Sequence, residues 1–210
     1  MSLRALRWGP GPGEATHLVA LLHGVGASAD DLLGLAPALA PLLPGVAFTA
    51  FDAPEPYDGA PFGRQWFSLQ DRTPSALRAG AARATPVLEA ALDAELARLG
   101  ISSCALAGFS QGAMMALYAG LRRAPPPFAV LAYSGALLDV PPAAAHPPVL
   151  LVHGTEDEMV PPARSRDAER LLREADVRVE AVFRPGVGHW IDDPGLAAGA
   201  AFLRRALVPV

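Results

Sequence analysis

Short apolar runs alternate with helix-spaced segments along this chain, and that alternation is what most limits its fold. Four runs are apolar enough to be strands buried on both faces: His17–Leu22, Ser103–Ala107, Phe128–Tyr133 and Val149–Val152. Val46–Phe51 is a fifth candidate. Val177–Phe183 is a sixth, with Val177, Val179, Ala181 and Phe183 alternating against polar partners as a more exposed strand does. Helical patterns fall between them. Leu88, Leu92, Leu96 and Leu99 keep helical spacing before Gly100, and Thr85-Pro86 reads as either a helix start or a kink in a longer helix. Gly112–Arg123 and Ala163–Ala175 are helical, and Asp193-Pro194 is expected to cap a last helix ending near Leu207. Strands alternating with helices predict βαβ units, a mostly parallel sheet and helices on both faces, a doubly wound α/β architecture.

The length of 210 residues suits one domain, and residues 1–210 are expected to form it. An apolar fraction of 51% against 18% charged residues favours a folded core. A net charge of -4 argues against a nucleic-acid partner. All 17 basic residues are arginine, which excludes Schiff-base, covalent pyridoxal-phosphate and phosphate-loop lysine chemistry. The single Cys104 allows no internal disulfide, iron–sulfur cluster or multi-cysteine zinc site. The first residues lack the apolar stretch of a signal peptide, and no window approaches a membrane span. A cytoplasmic protein without stable membrane insertion is expected. The sequence leaves a homodimer open.

The segment Gly108-Phe109-Ser110-Gln111-Gly112 has the form G-x-S-x-G, with an apolar strand running in and a helix running out. On such a turn the serine oxygen is exposed above the sheet, near the positive end of the next helix. Serine needs a base, and the base an orienting acid. His153-Gly154-Thr155-Glu156-Asp157 places carboxylates just past a strand's carboxyl end, where α/β sheets bind ligands. Asp157 is the choice, with Glu156 and Glu158 as competitors, and a solvated acidic turn as the bland alternative. Among the histidines that follow, His146 lies in a Pro-rich loop, where exposure to solvent is expected. His153 reads as structural, and His189 sits in a glycine-flanked loop able to present an imidazole to Ser110. Oxyanion donors are expected from the Gln111 N–H and from Val25 in the loop His23-Gly24-Val25-Gly26. His23 reads as structural rather than as a metal ligand.

These pieces resemble the phospholipase/carboxylesterase family of α/β-hydrolases, which also contains acyl-protein thioesterases. The resemblance rests on Leu22–Gly26, Gly108–Gly112, His153–Asp157 with Val160-Pro161, and Gly188-His189. Gly63-Arg64-Gln65-Trp66-Phe67-Ser68 is similar to the family's aromatic motif, in a form closer to bacterial carboxylesterases. It implies a serine carboxylesterase with Ser110, Asp157 and His189 as triad, Val25 and Gln111 as oxyanion donors, and no metal or organic cofactor. A thioesterase or lysophospholipase with the same triad is the alternative, and a non-catalytic binding protein a distant one. Two departures stand out: Ala113 where a second glycine is frequent, and a short, Pro-rich Ala53–Gly63 at the pocket rim. The length leaves little room for a lid domain, so an open groove for small-molecule esters is expected. Trp66, Phe67, Met159 and Trp190 are candidates for its apolar wall, with core packing as the alternative for each.

Overall fold

The computed structural model describes residues 3–142 and 146–207. Its strands are β1 (Ala5–Trp8), β2 (His17–Leu22), β3 (Val46–Phe51), β4 (Glu55–Pro56), β5 (Arg64–Gln65), β6 (Cys104–Phe109), β7 (Ala129–Tyr133), β8 (Val149–Gly154) and β9 (Val179–Arg184). Its helices are α1 (Ala29–Leu33), α2 (Ala36–Leu39), α3 (Pro74–Leu99), α4 (Gln111–Gly120), α5 (Ala163–Glu174) and α6 (Asp193–Leu207).

Seven strands form one sheet in the order β1-β3-β2-β6-β7-β8-β9. All neighbours are parallel except the edge pair β1 and β3. The pleat sends successive residues to opposite faces. Ala20 and Leu22 of β2 pack with Leu88 and Leu92 of α3, Met115 of α4 and Leu172 of α5. Val19 and Leu21 pack with Leu32 of α1, Leu39 of α2 and Leu203 of α6 on the other face. Burial on both sides explains why these strands are continuous apolar runs. Strand β6 is the middle strand, with three neighbours on each side.

Two elements differ from expectation, and a third decides between two readings left open. Strand β1 has only four residues, and its partners Ala5↔Phe51 to Trp8↔Phe48 lie far along the chain. Helix α3 begins at Pro74, where the Thr73 side chain accepts from Ala76 N–H, and runs through Pro86. Thr85-Pro86 is therefore interior to the helix; Pro86 has no N–H for the Ala82 carbonyl, and the Thr85 hydroxyl donates to Ala81 O at 2.8 Å. Helix α6 is capped by Asp192 rather than Asp193: Gly195 N–H donates to Asp192 Oδ1 at 3.0 Å.

Candidate active site

Ser110 stands at the carboxyl end of β6, with φ 55° and ψ -117°. A positive φ on a non-glycine residue is strained, by about 1–3 kcal/mol. The surroundings enforce it. Ser110 N–H donates across the sheet to Tyr133 O at 2.9 Å, and Ser110 O accepts from Ala113 N–H at 3.0 Å as α4 begins. The turn closes only because two residues lack side chains. A Cβ on Gly108 would lie 2.2 Å from Gly112 O, and one on Gly112 would lie 1.9 Å from Leu22 O. Steric closure of strand against helix thus dictates the glycines of the pentapeptide.

His189 and Asp157 come from neighbouring loops. The loop after β8 and the loop after β9 are laced by Glu156 N–H to Val187 O at 2.9 Å and Thr155 N–H to Arg184 O at 2.9 Å. His189 Nε2 lies 3.0 Å from Ser110 Oγ, and His189 Nδ1 lies 2.7 Å from Asp157 Oδ2. Phe109 packs on the imidazole at 4.8 Å between ring centres. Asp157 Oδ1 accepts the N–H groups of Met159 at 2.9 Å and Val160 at 2.8 Å. Burial pushes the Asp157 carboxyl up, but bonds from His189 and Val160 outweigh it and hold it below the usual carboxylate range. Of the three adjacent acids only Asp157 touches an imidazole; Glu156 and Glu158 point to solvent.

The other histidines are placed elsewhere. His153 is buried, with Nδ1 at 2.6 Å from Ser165 Oγ and Nε2 at 2.9 Å from Val160 O. The same Nε2 is 3.1 Å from Asp157 Oδ2, so His153 also braces the acid. Burial holds its pKa below the ordinary histidine value, which keeps it neutral. His146 is half-buried rather than exposed. His23 is buried, its Nδ1–H donating to Gly24 O at 2.7 Å while Nε2 accepts from Ala53 N–H at 3.0 Å.

Val25 and Gln111 line the same space as Ser110, and among the described residues neither backbone N–H has a hydrogen-bond partner. The loop carrying Val25 is fixed from behind. Trp66 Nε1–H donates to His23 O at 2.9 Å, and Arg64 O accepts from Gly26 N–H at 2.8 Å. The Gln111 side chain is fully buried; it accepts from Trp66 N–H at 2.9 Å and donates to Phe67 O at 2.6 Å. This corrects the expectation for Trp66 and Phe67. Each is 1% exposed and packs in the core against α3, where Gly80 leaves room for the Phe67 ring, so neither reaches the cavity. Only the spacing of the aromatic motif was visible in sequence, and spacing does not say which way a ring points.

The cavity at Ser110 has a volume of about 460 Å³. Leu69, Leu77, Met114, Leu137 and Leu138 supply its apolar wall, none of them recognised from sequence. Met159 lines it. Trp190 does not; it is 56% exposed and its ring lies over Gly188. Another hollow, of about 520 Å³, lies beside Arg7, Trp8 and Arg98 and shares no residue with this one. Among the described residues no group of three or more His, Cys, Asp or Glu is arranged to hold a metal ion, and no helix is long and apolar enough to cross a membrane.

A family model described as phospholipase/carboxylesterase matches residues 10–207. The chain is 31% identical over 198 residues to esterase YpfH of Escherichia coli, covering 92% of this chain and 84% of the relative. It is 36% identical over 113 residues to acyl-protein thioesterase 1 of Gibberella zeae, covering 50% of this chain and 48% of that one. The crystal structure of esterase PE8 superposes with a TM-score of 0.89 at 38% identity, covering 98% of this chain and 100% of the other.

Proposed function

Because this chain belongs to the phospholipase/carboxylesterase family and is an ester-hydrolysing enzyme, we propose that Ser110, His189 and Asp157 are its catalytic triad and that carboxylic esters are its substrates. One observation carries the reading: the unbroken line from Asp157 Oδ2 through His189 to Ser110 Oγ, with steps of 2.7 and 3.0 Å. Asp157 accepts a hydrogen bond from His189 Nδ1–H and so leaves Nε2 free to take the proton of Ser110. As Oγ bonds to the carbonyl carbon, its proton passes to His189 Nε2. The carbonyl oxygen gains negative charge beside the Val25 and Gln111 N–H groups, which stabilise it. The carbon–oxygen bond to the alcohol then breaks, and His189 returns the proton to the leaving oxygen. Water then attacks the acyl carbon as His189 Nε2 takes its proton, the bond from that carbon to Ser110 Oγ breaks, the proton passes to Oγ, and the carboxylic acid departs. The apolar wall suits acyl chains of short to medium length, and the small-molecule ester is the partner this chemistry needs. No metal or cofactor enters any step.

A fluorophosphonate probe reports the assignment directly. The wild-type protein is expected to label on Ser110, and Ser110→Ala to lose both label and about 10⁴–10⁶-fold of turnover while keeping its circular dichroism spectrum. Near-wild-type turnover in that variant would refute the triad. A panel of para-nitrophenyl esters, acyl thioesters and lysophospholipids then decides the substrate class, with esters expected to give the highest kcat/KM.

A further inference from the structure

Two arginines face the Ser110 cavity, and neither has a task in the mechanism above. Arg72 lies in the segment before α3, and Arg164 in the first turn of α5, so they enter the wall from separate parts of the chain. Arg72 Nε–H donates to Leu69 O at 3.2 Å, which steadies its stem and leaves the rest of the guanidinium unused. Among the described residues, neither arginine has a carboxylate within ion-pair distance. Some arginines of this acidic chain find acids, as Arg7 and Arg98 share Glu95 and Arg184 holds Asp192, and others do not; Arg72 and Arg164 are the two that line the Ser110 cavity.

No aspartate or glutamate contributes to the described wall. Asp157 lies beneath it, its side chain wholly buried and its oxygens occupied by His189, His153 and two backbone N–H groups. The wall is therefore an apolar trough carrying two forked cations and no compensating anion, in a protein whose net charge is -4. Both arginines are exposed to solvent, and their guanidinium forks match pairs of oxygens on carboxylates and phosphates in donor spacing. An uncharged ester would leave both unused.

Resting on the esterase reading, we propose that Arg72 and Arg164 select esters that carry a second, anionic oxyacid group, a carboxylate or phosphate, beside the scissile bond. The anion docks on the guanidinium pair while the methylenes between it and the ester lie along Leu69, Leu77 and Met114.

The test compares para-nitrophenyl hydrogen adipate with para-nitrophenyl hexanoate. Their acyl chains match in length and their leaving groups are identical, so they differ in the terminal carboxylate; the rate in enzyme-free buffer is subtracted from each. A second pair, para-carboxyphenyl acetate and phenyl acetate, puts the anion on the alcohol side, each compared as the ratio of variant to wild type. In at least one pair the wild type is expected to favour the anionic ester in kcat/KM. Arg72→Gln with Arg164→Gln is expected to lower that preference by about five- to fiftyfold, as charge-assisted contacts at a partly exposed site do. Hydrolysis of the neutral ester should hold. Raising the salt should shrink the wild-type preference and leave the double variant flat. The double Lys variant, which keeps charge without the fork, should fall between. The pair that responds shows which side of the ester holds the anion. Ratios equal in wild type and double variant for both pairs would overturn the proposal. The esterase reading fails separately, if the neutral ester is not turned over or its turnover survives Ser110→Ala.

Discussion

At the scale of single residues, the acid is the sharpest test of the geometry. Asp157 receives four hydrogen-bonding contacts, while Glu156 and Glu158 touch no imidazole. Asp157→Asn is expected to lower kcat by about 10⁴-fold, the loss typical when an orienting carboxylate becomes an amide. Glu156→Gln and Glu158→Gln should stay near wild type. Similar modest losses in all three would move the acid elsewhere. The pH profile belongs here too. Bonds from His189 and Val160 hold the Asp157 carboxyl below the usual carboxylate range, which favours its ionised form. A general base acts only when unprotonated, so kcat/KM is expected to show an acidic limb. His189→Ala should abolish the limb with most of the rate. His153→Ala strips partners from Ser165 and Val160, so it should cost about 1–3 kcal/mol of stability and keep the limb. A limb that vanished with His153 would make His153 the base.

At the scale of elements, Glu95 fastens α3 to the sheet. It is 2% exposed and accepts from Arg7 at 3.0 Å, from Arg98 at 2.7 Å and from Thr49 Oγ1 at 2.9 Å. Burial pushes its pKa up, yet the bonds from Arg98, Arg7 and Thr49 prevail and bring it from 4.5 down to about 2. A group depressed on folding contributes stability above its unfolded pKa and loses it as pH falls through the folded value. Unfolding free energy should therefore drop between about pH 4.5 and pH 2, and Glu95→Gln should flatten that slope and lower stability at neutral pH. Urea titrations of both proteins across that window measure it; parallel curves would show that Glu95 is not the group responsible. The strand β1 that Arg7 brings to this cluster went unread in the sequence. Four residues carry too little periodicity, and their partners in β3 lie about forty positions away. The strands β2, β6, β7 and β8 were legible because burial on both faces leaves no polar residue to interrupt them. Ser110, Asp157 and His189 were legible in position because each follows a recognisable strand. The cavity wall was not, since Leu69, Met114 and Leu138 converge only through tertiary contacts and look like any other leucine or methionine.

At the scale of the whole molecule, no inserted lid covers the cavity among the described residues, and its wall is made of loops at the carboxyl ends of the strands and of the first turns of α3, α4 and α5. Soluble monomeric esters should be hydrolysed with ordinary saturation, and a substrate series taken through its critical micelle concentration should show no jump in rate. A steep rise only above that concentration would mean that some segment must open at an interface. The position of β6 has a further consequence, for the order in which the protein fails. Ser110 follows directly on the strand farthest from either edge, whose amides should be among the last to exchange with solvent. His189 rides on the loop after β9, an edge strand whose residues are only partly covered. As denaturant is added, the margin is expected to loosen first. The imidazole should then leave the serine while the centre is still intact, and activity should be lost at concentrations where the far-ultraviolet signal remains that of a folded protein.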